Sequence, residues 1–187
     1  YDSEPSKIVA RLTRRDNEIE SDNASIRIDA YHDHQTGYEF AFNAAGVKTD
    51  ILQYDDANRE DNSWDPVWEV QTVITDRGWS AEVKIPFRIL RYRSASADSD
   101  GTTWGITFLR YISRRQESQR WAFTPKREGG FISRFGHLEG LRGLPAPRQF
   151  EVLPFATGKE SYDAGSPLEP RRQDFTANAG VDLKYGL

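Results

Sequence analysis

Tryptophans are the side chains of this 187-residue sequence whose type and setting best fit a chemical task. An exposed indole ring can stack on the C–H face of a sugar while neighbouring polar groups bond its hydroxyls. Trp64 lies in the polar stretch DDANREDNSWD (residues 55–65), where a core role is less natural. Trp121 follows a charged run, and the sequence leaves both a core and a surface role open for it. We predict Trp64 and Trp121 as carbohydrate-contacting residues. The core candidates are Trp68, Trp79 and Trp104, which lie in alternating strand-like runs.

Acidic side chains concentrate in residues 50–65, and carboxylate oxygens are the ligands that Ca²⁺ prefers. The spacing does not fit an EF-hand loop, because Asp61 stands where glycine is required. We predict a solvated acidic loop and no cofactor, with a structural calcium ion as the alternative.

Two histidines, His32 and His34, stand two residues apart in the segment HDHQTG. On a strand they would share one face and could bind zinc. In a polar hairpin loop they are more often ordinary surface residues, and His137 lies far away in the sequence. We therefore predict no metal site.

The sequence gives only weak indications of a catalytic site. Glu69 and Glu82 could suggest the paired carboxylates of a glycoside hydrolase. However, the sequence contains no P-loop, dinucleotide fingerprint or Ser-His-Asp order, and it has no cysteine to act as a nucleophile. We predict that the chain is not an enzyme.

Charge and composition further limit the class of protein and its partners. The net charge of −4 comes from 25 basic and 29 acidic residues, with no basic stripe, so no nucleic-acid partner is expected. The run of four arginines in residues 110–120 is interpreted as a solvated strand end, with a partner protein or anionic lipid as the alternative. An aromatic share of 12% argues against disorder and favours a β-fold.

Apolar residues alternate with polar ones in residues 25–31 and 38–43, which indicates strands with one face on a core. Further strands are predicted at residues 48–53, 67–76, 79–85, 103–112 and 119–123. The one predicted helix is short, at residues 86–91. Strands at such regular spacing indicate an antiparallel sandwich or barrel.

A proline-containing break near Leu144 divides the chain into a main domain, 1–144, and a linker with a hairpin-like extension, 145–187. Strands are predicted at residues 149–158 and 176–187, with a polar loop at 159–174. Residues 150–155 are apolar on both faces, so that strand needs cover from lipid or from a protein.

The stretch WDPVWEVQTVITDRGWSAEVKIPF (residues 64–87) resembles the signature W-x-x-V-W-E-V … G-W-x-x-E-x-x-I-P-F of family 9 carbohydrate-binding modules. The matching positions are Trp68, Glu69, Val70, Gly78, Trp79, Glu82, Ile85, Pro86 and Phe87. The resemblance implies a jelly-roll-like β-sandwich in which Glu69 and Glu82 belong to strands and are not catalytic.

Residues 29–46, 104–117 and 133–144 are similar to large bacterial outer-membrane proteins that carry this module ahead of a β-barrel. Residues 149–187 are similar to the first barrel strands that follow it. The resemblance implies a piece of a longer protein, because the family's D-G-x-x-D-E-x-x-W opening is not present in the sequence.

The same resemblance implies a non-catalytic carbohydrate-binding module of a periplasmic or outer-membrane-associated protein. Its expected partners are a polysaccharide or glycan and its own β-barrel or a membrane protein complex. The alternative is a periplasmic accessory subunit, docked on a larger membrane complex, that has lost sugar binding. A glycoside hydrolase is a third alternative.

Overall fold

The computed structural model describes residues 2–17, 19–93, 101–123, 125, 127–145, 150–163 and 172–185. The fold is almost entirely β, with 52% strand and 8% helix, and its sheets are antiparallel, which confirms the predicted all-β sandwich class. The described helical residues form only short 3₁₀ turns, none of them long and apolar enough to cross a membrane. Two compact units form, Tyr1–Pro147 and Arg148–Leu187.

The first unit is built on one large antiparallel sheet. The strands of this unit are β1 Asn23–Asp29, β2 Gly37–Asn43, β3 Lys48–Tyr54, β4 Arg59–Asp61, β5 Glu69–Thr75, β6 Gly78–Lys84, β7 Thr102–Ile112, β8 Glu117–Trp121 and β9 Gly136–Leu141. Strands β5 and β6 form a separate hairpin, and the others form the sheet. The sheet order is β4-β3-β2-β1-β7-β8. Strand β9 also pairs with β7, along residues 102–106, while β8 pairs with residues 108–112. Strands β8 and β9 therefore share one edge of β7.

The β5–β6 hairpin packs over one face of this sheet and closes the core. Alternation puts Tyr38, Phe40 and Phe42 of β2 on that face, and all three are buried. Trp68, which is 1% exposed, enters the core just before β5, and Trp104 enters it from β7. Trp79 packs against Phe42 but is only half-buried.

The other face of the sheet is covered by a short 3₁₀ turn at Ile132–Arg134. Ile132 is fully buried there, against the backbone of Gly37. A methyl group added at Gly37 would lie 3.1 Å from Ile132 Cδ1, so the glycine permits this close approach. The Asp56 carboxylate fixes the turn by accepting hydrogen bonds from the backbone N–H groups of Phe131 and Ser133, each 2.9 Å long.

Period-two patterning located seven strands of the first unit but missed β4 and β9. Strand β4 has only three residues, and β9 (GHLEGL) carries two glycines and one charge, which hide its alternation. The helix expected at residues 86–91 is a 3₁₀ turn, Phe87–Ile89, since three residues cannot complete an α-helical turn.

The second unit is a long hairpin of β10 Phe150–Asp163 and β11 Arg172–Tyr185. The predicted polar loop at residues 159–174 was wrong at both ends, because cross-strand pairing continues from Phe150–Tyr185 to Asp163–Arg172. The rest of that loop, residues 164–171, lies outside the described residues. Large apolar side chains of the hairpin are exposed: Val152, Phe155, Tyr162, Phe175, Val181 and Leu183.

Candidate functional site

Two aromatic rings stand side by side on the surface of the main sheet. Trp121 of β8 is register-paired with Phe108 of β7, so both side chains leave the same face. Their ring centroids are 5.8 Å apart with an interplanar angle of 38°, and the residues are 54% and 44% exposed. We call Phe108 and Trp121 the aromatic platform.

The backbone around Trp121 fixes the position of its ring. The hydroxyl of Thr107 donates a hydrogen bond of 2.5 Å to the carbonyl oxygen of Trp121. The ring lies against Gly136 of β9, where an added Cβ would be 2.6 Å from Trp121 Cη2. The platform therefore depends on the shared edge at which β8 and β9 meet β7.

Polar side chains continue along the same face beyond the rings. Gln119 and Glu117 precede Trp121 by two and four residues on β8, so strand alternation places them on its side. Gln119 Nε2 donates to Glu117 Oε1 over 2.8 Å, and Arg110 of β7 is register-paired with Gln119. The surface thus combines exposed rings with amide and carboxylate groups that can bond hydroxyls.

The structure places the other predicted site residue, Trp64, elsewhere. Its ring is half-buried, with centroids 5.2 Å from Tyr38 and 5.7 Å from Phe40 on β2. The polar sequence around Trp64 gave no sign that the loop folds back onto the core. Trp64 closes one side of the core and does not join the platform.

A shallow polar cleft of about 400 Å³ lies on the opposite face of the sheet. Its lining is Arg27, Gln53, Asp56, Ala57, Asn58, Glu60, Gly130 and Phe131. Phe131 is its one aromatic ring, and the guanidinium carbons of Arg27 and Arg120 already lie 4.7 and 4.5 Å from the ring centroid. The cleft is therefore mainly polar, and its one ring already has two guanidinium groups close to it.

The acidic side chains of residues 50–65 are drawn into separate contacts. Asp50, 1% exposed, accepts hydrogen bonds from Trp68 Nε1 at 3.0 Å and Arg15 Nη2 at 2.6 Å. Burial raises the pKa of the Asp50 carboxyl, although both hydrogen bonds oppose the rise. Asp65 pairs with Arg15 at 2.6 Å, while Asp56 holds the turn at Ile132.

The arginines of residues 110–120 also have partners within the unit. Arg110 and Arg114 both reach the buried carboxylate of Asp2, Arg114 at 2.6 Å. The hydrogen bond with Arg114 lowers the pKa of Asp2, with burial opposing it. Arg120 lies over Phe131. These arginines tie the N-terminal segment and the turn to the sheet.

Glu69 and Glu82 are both exposed on the β5–β6 hairpin. Glu69 pairs with Lys84 at 3.3 Å, and Glu82 is register-paired with Gln71. The two carboxylates thus belong to the surface of one hairpin, as members of neighbouring cross-strand pairs.

Sequence reasoning missed the convergence of the three histidines. Asp29 of β1 is register-paired with Gly105 of β7, and Gly105 with His137 of β9, which brings His137 to the loop after β1. The ring centroid of His32 lies 4.6 Å from that of His34 and 5.1 Å from that of His137. The signal in the sequence was the pair HDH together with a single further histidine, but the unpredicted strand β9 concealed it. As the side chains stand, no three His, Asp or Glu groups in the described part of the chain are arranged to hold a metal ion.

Comparison with protein-family models, with curated proteins and with solved structures finds no match to this chain.

Proposed function

We propose that this chain is a non-catalytic, carbohydrate-binding-type module of a cell-envelope protein, and that the aromatic platform is its ligand surface. The observation that carries the proposal is the exposed ring pair of Phe108 and Trp121, with Gln119 beside it on the same face. Sugar rings present C–H faces that stack on indole and phenyl rings, while their hydroxyls need polar partners. The sequence resemblance to family 9 modules supports the same class of ligand and a periplasmic or outer-membrane setting.

The platform suits this role better than the polar cleft does. In the cleft, the ring of Phe131 has two guanidinium groups within 5 Å of its centroid, and these compete with a sugar for the ring. At the platform, about half of Trp121 is open to solvent. Exposed tryptophan in contact with a second ring gives a ligand apolar area that needs no rearrangement.

Affinity electrophoresis in native gels tests the proposal. We expect at least one polysaccharide of a neutral and acidic panel to retard the chain, and Trp121→Ala and Phe108→Ala to abolish the retardation. Val73→Ala is the matched control, because Val73 is also 54% exposed but lies on the β5–β6 hairpin. Retardation that persists in Trp121→Ala would contradict the proposal.

A second candidate function is favoured by the hairpin of the second unit. Val181 and Leu183 are 56% and 64% exposed there, and monomeric proteins rarely expose contiguous apolar patches of this kind. This supports an accessory subunit that docks on a membrane protein complex through β10 and β11. In that case no polysaccharide retards the chain, whereas detergent micelles bind it, and Leu183→Glu weakens micelle binding.

A further inference from the structure

We propose that His32, His34 and His137 form a binding site for a late first-row transition metal ion such as Zn²⁺. These are all the histidines of the sequence, and they come from two distant segments. His32 and His34 lie in the loop between β1 and β2, and His137 lies on β9. The site does not depend on the proposed carbohydrate binding, since Gly136 and His137, as successive strand residues, face opposite sides of the sheet.

Two of the three ring spacings match what a metal ion requires. With Zn–N bonds of about 2.1 Å and tetrahedral angles, the ring centres of two histidine ligands lie about 5 Å apart. The three observed centroid distances are 4.6, 5.1 and 6.5 Å. The donor nitrogens do not yet converge on one point. Convergence needs the His34 and His137 rings to rotate, for which the 42% exposed side chain of His34 and the exposed position of His137 leave room.

The ring of His32 supplies a nitrogen without a partner. His32 Nε2 is buried and makes no hydrogen bond. A buried polar atom left unpaired costs about 1–3 kcal/mol, so a metal ion bound by this nitrogen would relieve that cost.

A buried carboxylate stands behind the histidines. Asp29 is 0% exposed and accepts hydrogen bonds from the backbone N–H groups of Asp33 at 3.2 Å and His34 at 2.9 Å. Its Oδ2 lies 3.9 Å from His34 Nδ1. At that distance Asp29 makes no hydrogen bond to the ring, and its carboxylate would act on a bound cation as a nearby negative charge. Burial raises the pKa of Asp29, and a nearby dication would favour its charged form.

The donor set also selects the ion. Imidazole nitrogens bind Zn²⁺, Cu²⁺ and Ni²⁺, whereas Ca²⁺ and Mg²⁺ prefer oxygen ligands. The guanidinium of Arg93, close enough to His32 to lower its pKa, opposes any cation and is offset by Asp29. The site therefore fits an ion that binds imidazole nitrogen strongly enough to outweigh the repulsion from Arg93.

Nuclear magnetic resonance of the imidazole groups during Zn²⁺ titration tests the site on the full chain. Only three imidazoles contribute signals, so each one reports on this cluster. We expect all three to shift together and to saturate at one Zn²⁺ per chain. Ca²⁺ should leave them unchanged. A response from fewer than three imidazoles, or from none, would overturn the proposal.

Matched variants complete the test by isothermal titration calorimetry with Zn²⁺. His137→Gln should weaken binding at least tenfold, because an exposed strand residue can be replaced without loss of the fold, and circular dichroism checks that it is retained. Asp55→Asn is the control, since it removes a carboxylate from the acidic loop while asparagine tolerates the positive φ of 52° there. Equal affinity in His137→Gln and the unmodified chain would exclude the site, as would a tenfold loss in Asp55→Asn.

Discussion

Asp50 is a buried carboxylate held by Trp68 Nε1 and Arg15, whose hydrogen bonds both end on Oδ1. Trp104 offers a matched comparison, because its Nε1 is equally buried but makes no hydrogen bond. Both indoles fill core space, so replacement by phenylalanine removes similar volume. Only at Trp68 does the change also remove a donor to a buried charge.

We therefore predict that Trp68→Phe destabilises the chain by about 1.5–3 kcal/mol more than Trp104→Phe, which is the range for a hydrogen bond to a charged group. Urea unfolding of the two variants measures the difference. Equal losses would show that the indole N–H of Trp68 contributes nothing to the free energy of unfolding.

Asp56 should make the stability of the turn at Ile132 depend on pH. Burial raises its pKa, but hydrogen bonds from Ser133, Phe131 and the Ser133 hydroxyl outweigh that effect, and the net pKa lies below 3.8. A depressed folded-state pKa gives stability that is present above pH 3.8 and is lost as the pH falls through the lowered pKa.

Asp56→Ala should cost about 1–3 kcal/mol at pH 7, since three donors lose their acceptor. The cost should shrink as the pH falls below 3.8 and Asp56 in the native chain is itself protonated. Unfolding curves of both proteins at pH 7 and at low pH give the measurement. A cost independent of pH would mean that the charge of Asp56 does not hold the turn.

Single residues also show what could not be predicted from the sequence. The polar neighbours of Trp64 suggested exposure, yet its ring packs on Tyr38 and Phe40. Burial of a ring depends on where its loop folds, and period-two patterning carries no information about that. For the same reason the sequence left both a core and a surface role open for Trp121. Its ring is exposed because Trp121 is the last residue of β8, the strand at one end of the sheet.

At the scale of elements, the contact between β2 and the turn at Ile132–Arg134 depends on a glycine. A side chain at Gly37 would meet Ile132 Cδ1 at 3.1 Å and Cγ1 at 3.3 Å, where a fully buried residue has little room to move. Gly37→Ala should cost about 1–3 kcal/mol, as overpacking does. Gly129 is the control, because an added Cβ there meets nothing within 4 Å.

Thermal unfolding of both alanine variants tests this contact. We expect a lower Tm for Gly37→Ala and an unchanged or slightly higher one for Gly129→Ala. Should the two variants unfold alike, the turn would not be packed against β2.

Strands with clear alternation, such as β2 and β7, could be predicted from the sequence, because large apolar residues recur at every second position, 38, 40 and 42 in β2 and 104, 106 and 108 in β7. Strand β9 could not, since glycines interrupt its pattern and its place on β7 is a long-range pairing. Both candidate sites depend on β9: Gly136 underlies Trp121, and His137 completes the histidine cluster. The fold class and Trp121 were therefore predictable, while Phe108 beside it and the grouping of the three histidines were not.

At the scale of the whole molecule, the two compact units divide after Pro147. Leu144 still packs against the core of the first unit, and the Tyr92 hydroxyl donates a 2.6 Å hydrogen bond to the carbonyl oxygen of Pro145. Truncation after residue 147 should leave the free energy of unfolding of the first unit unchanged. Truncation after residue 144 should cost about 1 kcal/mol, because Tyr92 loses its acceptor.

Urea unfolding of the two truncated chains and of the full chain measures this difference. A first unit that unfolds after loss of residues 148–187 would show that the hairpin is required for the fold. Both truncations should also bind less of a hydrophobic dye, since they remove exposed residues such as Phe155 and Phe175.

The central claim is that the aromatic platform is the ligand surface of a carbohydrate-binding-type module. Its most direct test is the dissociation constant of the polysaccharide that retards the chain most, measured for the unmodified chain, Trp121→Ala and Gly136→Ala. Gly136→Ala keeps both rings but displaces the indole from its position, because the added methyl group would lie 2.6 Å from Trp121 Cη2. We predict that Trp121→Ala weakens binding at least tenfold and that Gly136→Ala weakens it less. Dissociation constants within twofold of one another in all three proteins would contradict the claim.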